Sequence, residues 1–126
     1  MLRISNIDKA LAGVRFLENR TPDGDTAGTF ATLASYRDGR IFTGGFSGTS
    51  AWEKHPAEEV LQVIDGAATL SLITETGRED HEITTGDLVV VPTGHWHRFH
   101  APKGITLLSV TPQPTDHFTG DGEPET

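Results

Sequence analysis

The chain has 126 residues and a formal net charge of −8. This length fits one domain with its own hydrophobic core, and an acidic chain argues against a nucleic-acid-binding protein, which needs a basic face for phosphate. Cysteine is absent, which excludes disulfides and thiolate ligands and leaves histidine and carboxylates for any metal site. No stretch has the apolar length of a signal peptide or a membrane span, so we expect a soluble, cytoplasmic protein without a membrane partner.

The first elements in chain order are a short helix and a set of β-strands. The helix is predicted over residues 5–12, with Ser5 or Asn6 as its N-cap. Short β-prone segments bounded by turn residues then predict strands at 14–17, 29–36, 40–46, 58–64, 67–74, 80–84, 88–92, 97–101 and 104–112. Asp65 and Gly66 predict a turn between two of these strands. Many short strands with frequent turns are typical of an all-β sandwich or barrel.

The end of the chain differs in composition from the rest. The last fifteen residues hold four acidic residues and no Lys or Arg, which leaves the body with about −4. We expect residues 1–112 to form the domain and residues 113–126 to form an acidic, Pro/Gly-rich flexible tail. A docked arm that packs Phe118 onto a neighbouring subunit is the alternative.

Two groups of polar residues precede or begin predicted strands. The first contains Glu53, His55, Glu58 and Glu59, and the second is the segment GHWHRFH at 94–100. The groups lie about forty residues apart in sequence, and a jelly roll can bring such strands together on the inner face of one barrel. An acid at the start of an apolar strand is costly to bury unless it is paired or bound to metal.

Strand periodicity selects among these residues, because alternate side chains share a face. Glu53 and His55 point to one side, Glu59 shares a face with the apolar Leu61 and Val63, and His97 shares a face with Phe99. Two imidazoles and two carboxylates, from Glu53, His55, Glu59 and His97, suit a divalent transition metal with open coordination positions.

The remaining candidates have simpler explanations. Glu58 faces the surface by alternation, His95 and His100 are expected beside the site or at the surface, and His81 and His117 are expected to be solvated. Trp52 and Trp96 should face away from the metal. Serine catalysis has no histidine base at the required spacing, and no glycine-rich phosphate loop occurs.

The sequence resembles the cupins. Their first motif is G(X)5HXH(X)3,4E(X)6G, and His55, Glu59 and Gly66 match its second half. Their second motif is G(X)5PXG(X)2H(X)3N, and four residues match it at the expected spacing, namely Gly86, Pro92, Gly94 and His97. The resemblance covers about residues 42–111, and its barrel would span about residues 40–111.

Two positions depart from the cupin motifs. Glu53 replaces the first histidine of HXH and Ala101 replaces the final Asn. Glu53 keeps an anionic ligand on the correct face, so it is a candidate metal ligand and also the candidate catalytic base. WEXHP, which begins at Trp52, resembles a variant of small single-domain bacterial cupins.

The resemblance implies a double-stranded β-helix, often a homodimer, with one divalent metal (Mn, Fe, Zn or Ni) inside the barrel. It implies a metal-dependent enzyme acting on a small molecule by dioxygenase, isomerase, cyclase or lyase chemistry, and fold alone does not choose among these. The apolar lining would come from Phe42, Phe46, Leu61, Val63, Phe99 and Leu107.

Two alternatives to an enzyme remain. One is a non-catalytic module that binds a small ligand and metal. The other is a metal-free barrel, which is disfavoured because Glu53 and Glu59 would then converge without a countercharge, unless a Lys or Arg enters the site. Sequence alone does not place Arg15 or Arg20 relative to that site.

Overall fold

The computed structural model describes all 126 residues, and the chain forms one short helix and nine strands. The helix α1 spans Ile7–Ala12. The strands are β1 (Leu17–Arg20), β2 (Phe30–Tyr36), β3 (Gly39–Thr49), β4 (Trp52–Lys54), β5 (Glu59–Thr74), β6 (Gly77–Thr84), β7 (Leu88–Val91), β8 (His97–Pro112) and β9 (Asp116–Phe118). The helix has six residues, and no helix is long and apolar enough to cross a bilayer.

The predicted helix is confirmed, and it begins two residues after the start of the predicted range. Asn6 is the N-cap, and its side chain accepts a hydrogen bond from the backbone N–H of Lys9 at 2.9 Å. This bond satisfies one of the free N–H groups at the helix start.

Three long strands form the centre of the sheet. β8 pairs antiparallel with β3 along one edge and with β5 along the other, and the shorter strands extend this sheet from its edges. The sheet curls so that alternate residues of the long strands point inward, as in β5, where Glu59, Leu61 and Val63 are buried and Gln62 is exposed. The all-β, jelly-roll prediction is confirmed.

The hydrophobic core lies inside the curled sheet. Eleven buried apolar residues form a single cluster, with Phe46, Leu61, Val63, Ala101 and Ile105 the most completely buried. Trp52 is also buried, at 1% exposure, and the guanidinium of Arg98 lies 4.6 Å from its ring centroid. Trp52 therefore packs within its own chain.

Two predicted strand boundaries were wrong. Residues 58–64 and 67–74 form one strand, β5, because Asp65 and Gly66 lie in a register irregularity between β5 and β8 rather than in a hairpin turn. Gly66 has φ +92°, and a Cβ there would lie 2.3 Å from the carbonyl oxygen of Gly104. The glycine thus permits close approach of β8. Residues 97–101 and 104–112 are likewise continuous, as β8.

The start and the end of the chain also differ from expectation. The first strand is Leu17–Arg20 rather than 14–17. Within the expected flexible tail, β9 pairs antiparallel with β4, Phe118 packs against Trp96 with ring centroids 6.4 Å apart, and Glu123 makes a 3.0 Å ion pair with Arg78. This segment packs on its own barrel because β4 leaves an edge free to pair.

Candidate metal centre

Three buried side chains form a compact cluster inside the barrel. His55, Glu59 and His97 are 4%, 5% and 3% exposed, and each offers a ligand atom within 4.8 Å of the others. Nε2 of His97 lies 3.1 Å from Oε1 of Glu59, and Nε2 of His55 lies 3.3 Å from Oε2. The three residues could together hold a metal ion.

The backbone explains why the two histidines meet. His55 lies in the loop after β4, and its carbonyl oxygen accepts a 2.9 Å hydrogen bond from the N–H of Gly94 in the turn before β8. Gly94 has φ +68°, which a glycine adopts at little cost. This bond holds the His55 loop against the start of β8, where His97 points inward, while Glu59 is the first residue of the neighbouring strand β5.

Each of the three side chains is oriented by a further partner. Nδ1 of His97 is 3.2 Å from the carbonyl oxygen of His95, and Nδ1 of His55 is 3.0 Å from the hydroxyl of Thr115. Thr111 donates a 2.6 Å hydrogen bond to Oε2 of Glu59. Both Nε2 atoms consequently face the carboxylate, which is the arrangement of histidines whose outer nitrogen is fixed by a second partner.

The charges in the cluster are coupled. Burial raises the pKa of Glu59, but its contacts with His55 and His97 outweigh this effect and lower the pKa to about 2. Burial lowers the pKa of His97, and the hydrogen bond and charge of Glu59 outweigh that effect, so the pKa is raised. The carboxylate is thus ionised and attractive to a cation.

The donor set fits a divalent transition metal. Nε2 of His55 is buried and makes no hydrogen bond, although it lies close to the Glu59 carboxylate. A buried nitrogen without a partner is costly unless something occupies its lone pair. Two imidazoles and one carboxylate are ligands that Mn, Fe, Zn and Ni accept.

The cluster opens onto a cavity of about 410 Å³, to which Glu59 and His97 contribute wall atoms. Five of the six apolar residues expected to line it do so, namely Phe42, Phe46, Leu61, Phe99 and Leu107. Val63 is instead packed in the core, with 1% exposure. The cavity is large enough for a small organic molecule.

Glu53 lines the same cavity but lies outside the three-residue cluster. Its Cα is paired with that of His97 on β8 and that of His117 on β9, and its carboxylate lies 3.5 Å from Nε2 of His117. The side chain of Glu53 is 25% exposed. It stands beside the cluster with one contact to a histidine that is itself largely exposed.

The other four histidines lie outside the buried cluster. His100 is exposed and its Nδ1 is 2.8 Å from the hydroxyl of Thr49, while Nδ1 of His95 contacts the carbonyl oxygen of Thr93. His81 is exposed beside Glu79. His117 was expected to be solvated, and although exposed it also lines the cavity.

Sequence reasoning missed part of the cavity wall. Residues after the expected barrel contribute to it, namely Gln113, Pro114, Thr115 and His117. Arg20 also lines the cavity, whereas Arg15 binds the carbonyl oxygens of Asp25 and Ala27 outside it. An arginine therefore does enter the site, which weakens the electrostatic argument against a metal-free barrel. The only signal in the sequence was a lone arginine in a polar segment, ENRTP.

Comparison with known proteins agrees with this geometry. The model of the cupin domain family matches residues 43–111, more than half of the chain. The chain belongs to the cupin family.

Two curated relatives are acireductone dioxygenases from two strains of Rhodopseudomonas palustris, TIE-1 and ATCC BAA-98 / CGA009. Each is 31% identical over 74 residues, which is 55% of this chain. The chain spans only 45% of the length of these curated relatives.

Similar solved structures share the fold at low sequence identity. A protein from Neisseria meningitidis aligns with TM-score 0.60 at 20% identity, over 88% of this chain and all of that one. The hydroquinone 1,2-dioxygenase from Sphingomonas sp. TTNP3, solved with 4-hydroxybenzoate bound, aligns with TM-score 0.57 at 17% identity, over 66% of this chain and 64% of that one. A cupin-2 domain protein from Shewanella frigidimarina gives TM-score 0.55 at 20% identity, over 68% and 80%.

Proposed function

We propose that this cupin is a metal-dependent enzyme acting on a small organic molecule bound in the barrel cavity. The observation that carries the proposal is the buried cluster of His55, Glu59 and His97 beside a cavity of about 410 Å³. Among dioxygenase, isomerase, cyclase and lyase chemistry, dioxygenase chemistry is the first to test, because dioxygenases occur both among the curated relatives and among the similar structures.

In this proposal His55, Glu59 and His97 hold one divalent ion, Mn, Fe, Zn or Ni, per chain. Such an ion would supply Lewis-acid polarisation of a substrate oxygen and, if it is Fe or Mn, redox chemistry. Thr111 and Thr115 keep the carboxylate and the His55 ring in the liganding orientation. Phe42 and Phe99 line the cavity and would give the bound molecule an apolar surface.

Glu53 has two possible roles, as a fourth ligand and as a general base. Its position on the cavity wall next to His97, outside the cluster, favours the base. A carboxylate within reach of a bound molecule but free of a buried partner can accept a proton from it. His117, 3.5 Å away, is placed to share that proton.

A non-catalytic module that binds metal and a small ligand is the second candidate. The observation that favours it is a charged residue in the cavity, Arg20, which is not part of the metal cluster and would serve ligand binding with or without turnover. A protein that retains metal and binds ligands but shows no turnover would support this alternative.

The expectations of a homodimer and a cytoplasmic location remain proposals. Leu88 and Val90 on β7 are 68% and 53% exposed, and adjacent exposed apolar side chains on a sheet edge are typical of a subunit contact. Light scattering of the wild-type protein and a Leu88→Lys variant would test the dimer.

The decisive experiment for the metal site is metal analysis of protein purified without a histidine tag. We expect about one equivalent of transition metal per chain in the wild type, loss of the metal in His97→Ala, and retention in the matched control His100→Ala, whose imidazole is exposed on the opposite strand face. Equal metal content in the two variants would show that the cluster is not the metal site. Oxygen uptake with candidate substrates would then test the dioxygenase reaction.

A further inference from the structure

Arg20 is the one basic residue of the cavity wall other than the histidines. It ends β1, which pairs parallel with β3, and its Cα partner is Gly48. A Cβ on Gly48 would lie 2.5 Å from the backbone nitrogen of Arg20 and 2.4 Å from its carbonyl oxygen. Only a glycine permits this approach, so the backbone of β3 is shaped to place Arg20 at the cavity.

The residue before Arg20 reinforces its placement. Asn19 has φ +56°, a left-handed conformation that asparagine tolerates better than most residues. Its N–H donates a 3.0 Å hydrogen bond to the hydroxyl of Ser47 on β3. The strand is thus bent just ahead of Arg20, and the bend is fixed to the neighbouring strand.

The guanidinium of Arg20 has no polar partner within the protein. Its Nε is buried without a hydrogen bond, and no carboxylate lies within ion-pair distance of the side chain. Burial lowers the pKa of Arg20, and the charge of the nearby Glu53 opposes this effect. A half-buried arginine with unused donors is costly, and a bound oxyanion would offset that cost.

Aromatic rings hold the guanidinium in place. Its carbon lies 4.7 Å from the ring centroid of Phe46 and 5.6 Å from that of Phe30, and the two rings are themselves in edge contact at 6.3 Å. Cation–π contact fixes the plane of an arginine without using its N–H donors. The Nη N–H groups, which make no hydrogen bond within the protein, remain free for a planar ligand group.

A continuous aromatic wall connects Arg20 with the metal cluster. Phe46 contacts Phe99 at 6.3 Å between centroids, and Phe99 contacts His97 at 6.4 Å with the ring planes perpendicular. All four residues line the same cavity. A molecule lying along this wall would have Arg20 at one end of the wall, His97 at the other and a flat apolar surface between them.

We propose that Arg20 binds the carboxylate of a small aromatic organic acid, by bidentate hydrogen bonds, and so directs the body of that acid along Phe46 and Phe99 towards His97. This inference rests on the proposed function for its assignment of the acid as a substrate. Carboxylate matches the guanidinium fork in shape and charge, and a phenyl ring matches the wall.

The test measures binding of benzoate and of benzamide, which has the same shape without the charge, by calorimetry. We expect wild-type protein to bind benzoate at least ten times more tightly than benzamide. Arg20→Met should remove this preference while leaving the metal content unchanged, and Arg20→Lys, which lacks the fork, should retain only part of it. Equal benzoate affinity in the wild type and Arg20→Met would overturn the proposal.

A second variant keeps the test independent of the folding of Arg20→Met. Glu53→Gln removes a carboxylate whose negative charge acts on Arg20, so benzoate affinity should rise severalfold. An unchanged or lower affinity in Glu53→Gln would contradict the proposal. If the wild type contains no metal but prefers benzoate in an Arg20-dependent way, the metal-dependent enzyme is refuted and the anion site is supported. If the wild type contains metal but shows no such preference, the anion site is refuted and the metal-dependent enzyme is still supported.

Discussion

The hydroxyl of Thr115 lies 3.0 Å from Nδ1 of His55, although the two residues are sixty positions apart in sequence. Thr115 precedes β9, which pairs with β4 just ahead of His55. The end of the chain therefore orients a residue of the candidate metal centre, and the segment expected to be a flexible tail contributes to the site.

Replacement of Thr115 should weaken metal binding without unfolding the protein. Thr115→Val keeps the size of the side chain and removes the hydroxyl that fixes the His55 ring. Loss of such a supporting hydrogen bond lowers metal affinity by roughly 10- to 100-fold. Competition with a chromophoric chelator would measure it, with the exposed Thr119→Val as a control, and identical affinities would remove Thr115 from the site.

Two truncations should distinguish the contribution of the C-terminal segment to thermal stability from its contribution to metal binding. Removal of residues 121–126 deletes the ion pair of Glu123 with Arg78 and the contact of Trp96 with the Glu125 carbonyl oxygen, but leaves Thr115 and β9. We expect a small loss of thermal stability and normal metal content. Removal of residues 113–126 should reduce metal content as well, and a chain ending at residue 112 that kept full metal affinity would contradict this interpretation.

Gly48 should be far less tolerant of alanine than Gly86. The two glycines have similar φ angles, +99° and +92°, so both substitutions carry the cost of a left-handed residue, about 1–2 kcal/mol. Nothing lies near a Cβ on Gly86, whereas one on Gly48 would collide with the Arg20 backbone. Urea denaturation should show a clearly larger loss in the free energy of unfolding for Gly48→Ala than for Gly86→Ala, and Gly48→Ala should also bind benzoate more weakly. Similar losses in the two variants would indicate that β1 moves freely.

The metal-free protein should lose stability in acid through Glu59. The pKa of Glu59 is lowered from 4.5 to about 2 in the folded protein, so its contribution is present above 4.5 and is lost as pH falls towards 2. A shift of this size corresponds to roughly 3 kcal/mol. The pKa of His97 is raised by the same interaction with Glu59. The contribution of this interaction to stability is complete below pH 6.5 and declines as the pH rises through the pKa of His97 in the folded protein.

Unfolding measurements between pH 2 and 8 on chelator-treated protein test this prediction. The wild type should be most stable at about pH 4.5–6.5, and Glu59→Gln should show a flatter profile on the acid side because it cannot titrate. Parallel profiles for the two proteins would mean that the carboxylate of Glu59 does not interact with the histidines in solution.

Glu53→His restores the histidine of the common cupin motif and should retain the metal. If Glu53 is a base rather than a ligand, the variant should bind metal at least as tightly as the wild type and lose activity. Metal analysis and a turnover assay on the same preparation distinguish the roles. Loss of metal in this variant would show instead that the Glu53 carboxylate is needed for binding.

The sequence alone determined the class of fold and the three residues of the buried cluster, His55, Glu59 and His97. Alternation along a strand is a local property. It correctly predicted that Glu59 points inward with Leu61, and that His97 is buried whereas His100 is exposed. Motif spacing also matched His55, and the many short segments bounded by turn residues predicted a barrel, because both patterns are local in sequence. The burial and mutual distances of these three residues agree with the prediction.

Only the tertiary structure decided what surrounds the cluster. Asp65 and Gly66 have the composition of a turn, but pairing with β8 on both sides holds them in a bulge. Arg20 and Thr115 reach the cavity because β1 and β9 add to the edges of distant strands, and edge pairing depends on free backbone donors that no short sequence pattern reveals. The residues of the candidate metal centre were therefore predictable from local sequence, whereas the cavity beside them is a product of long-range strand pairing.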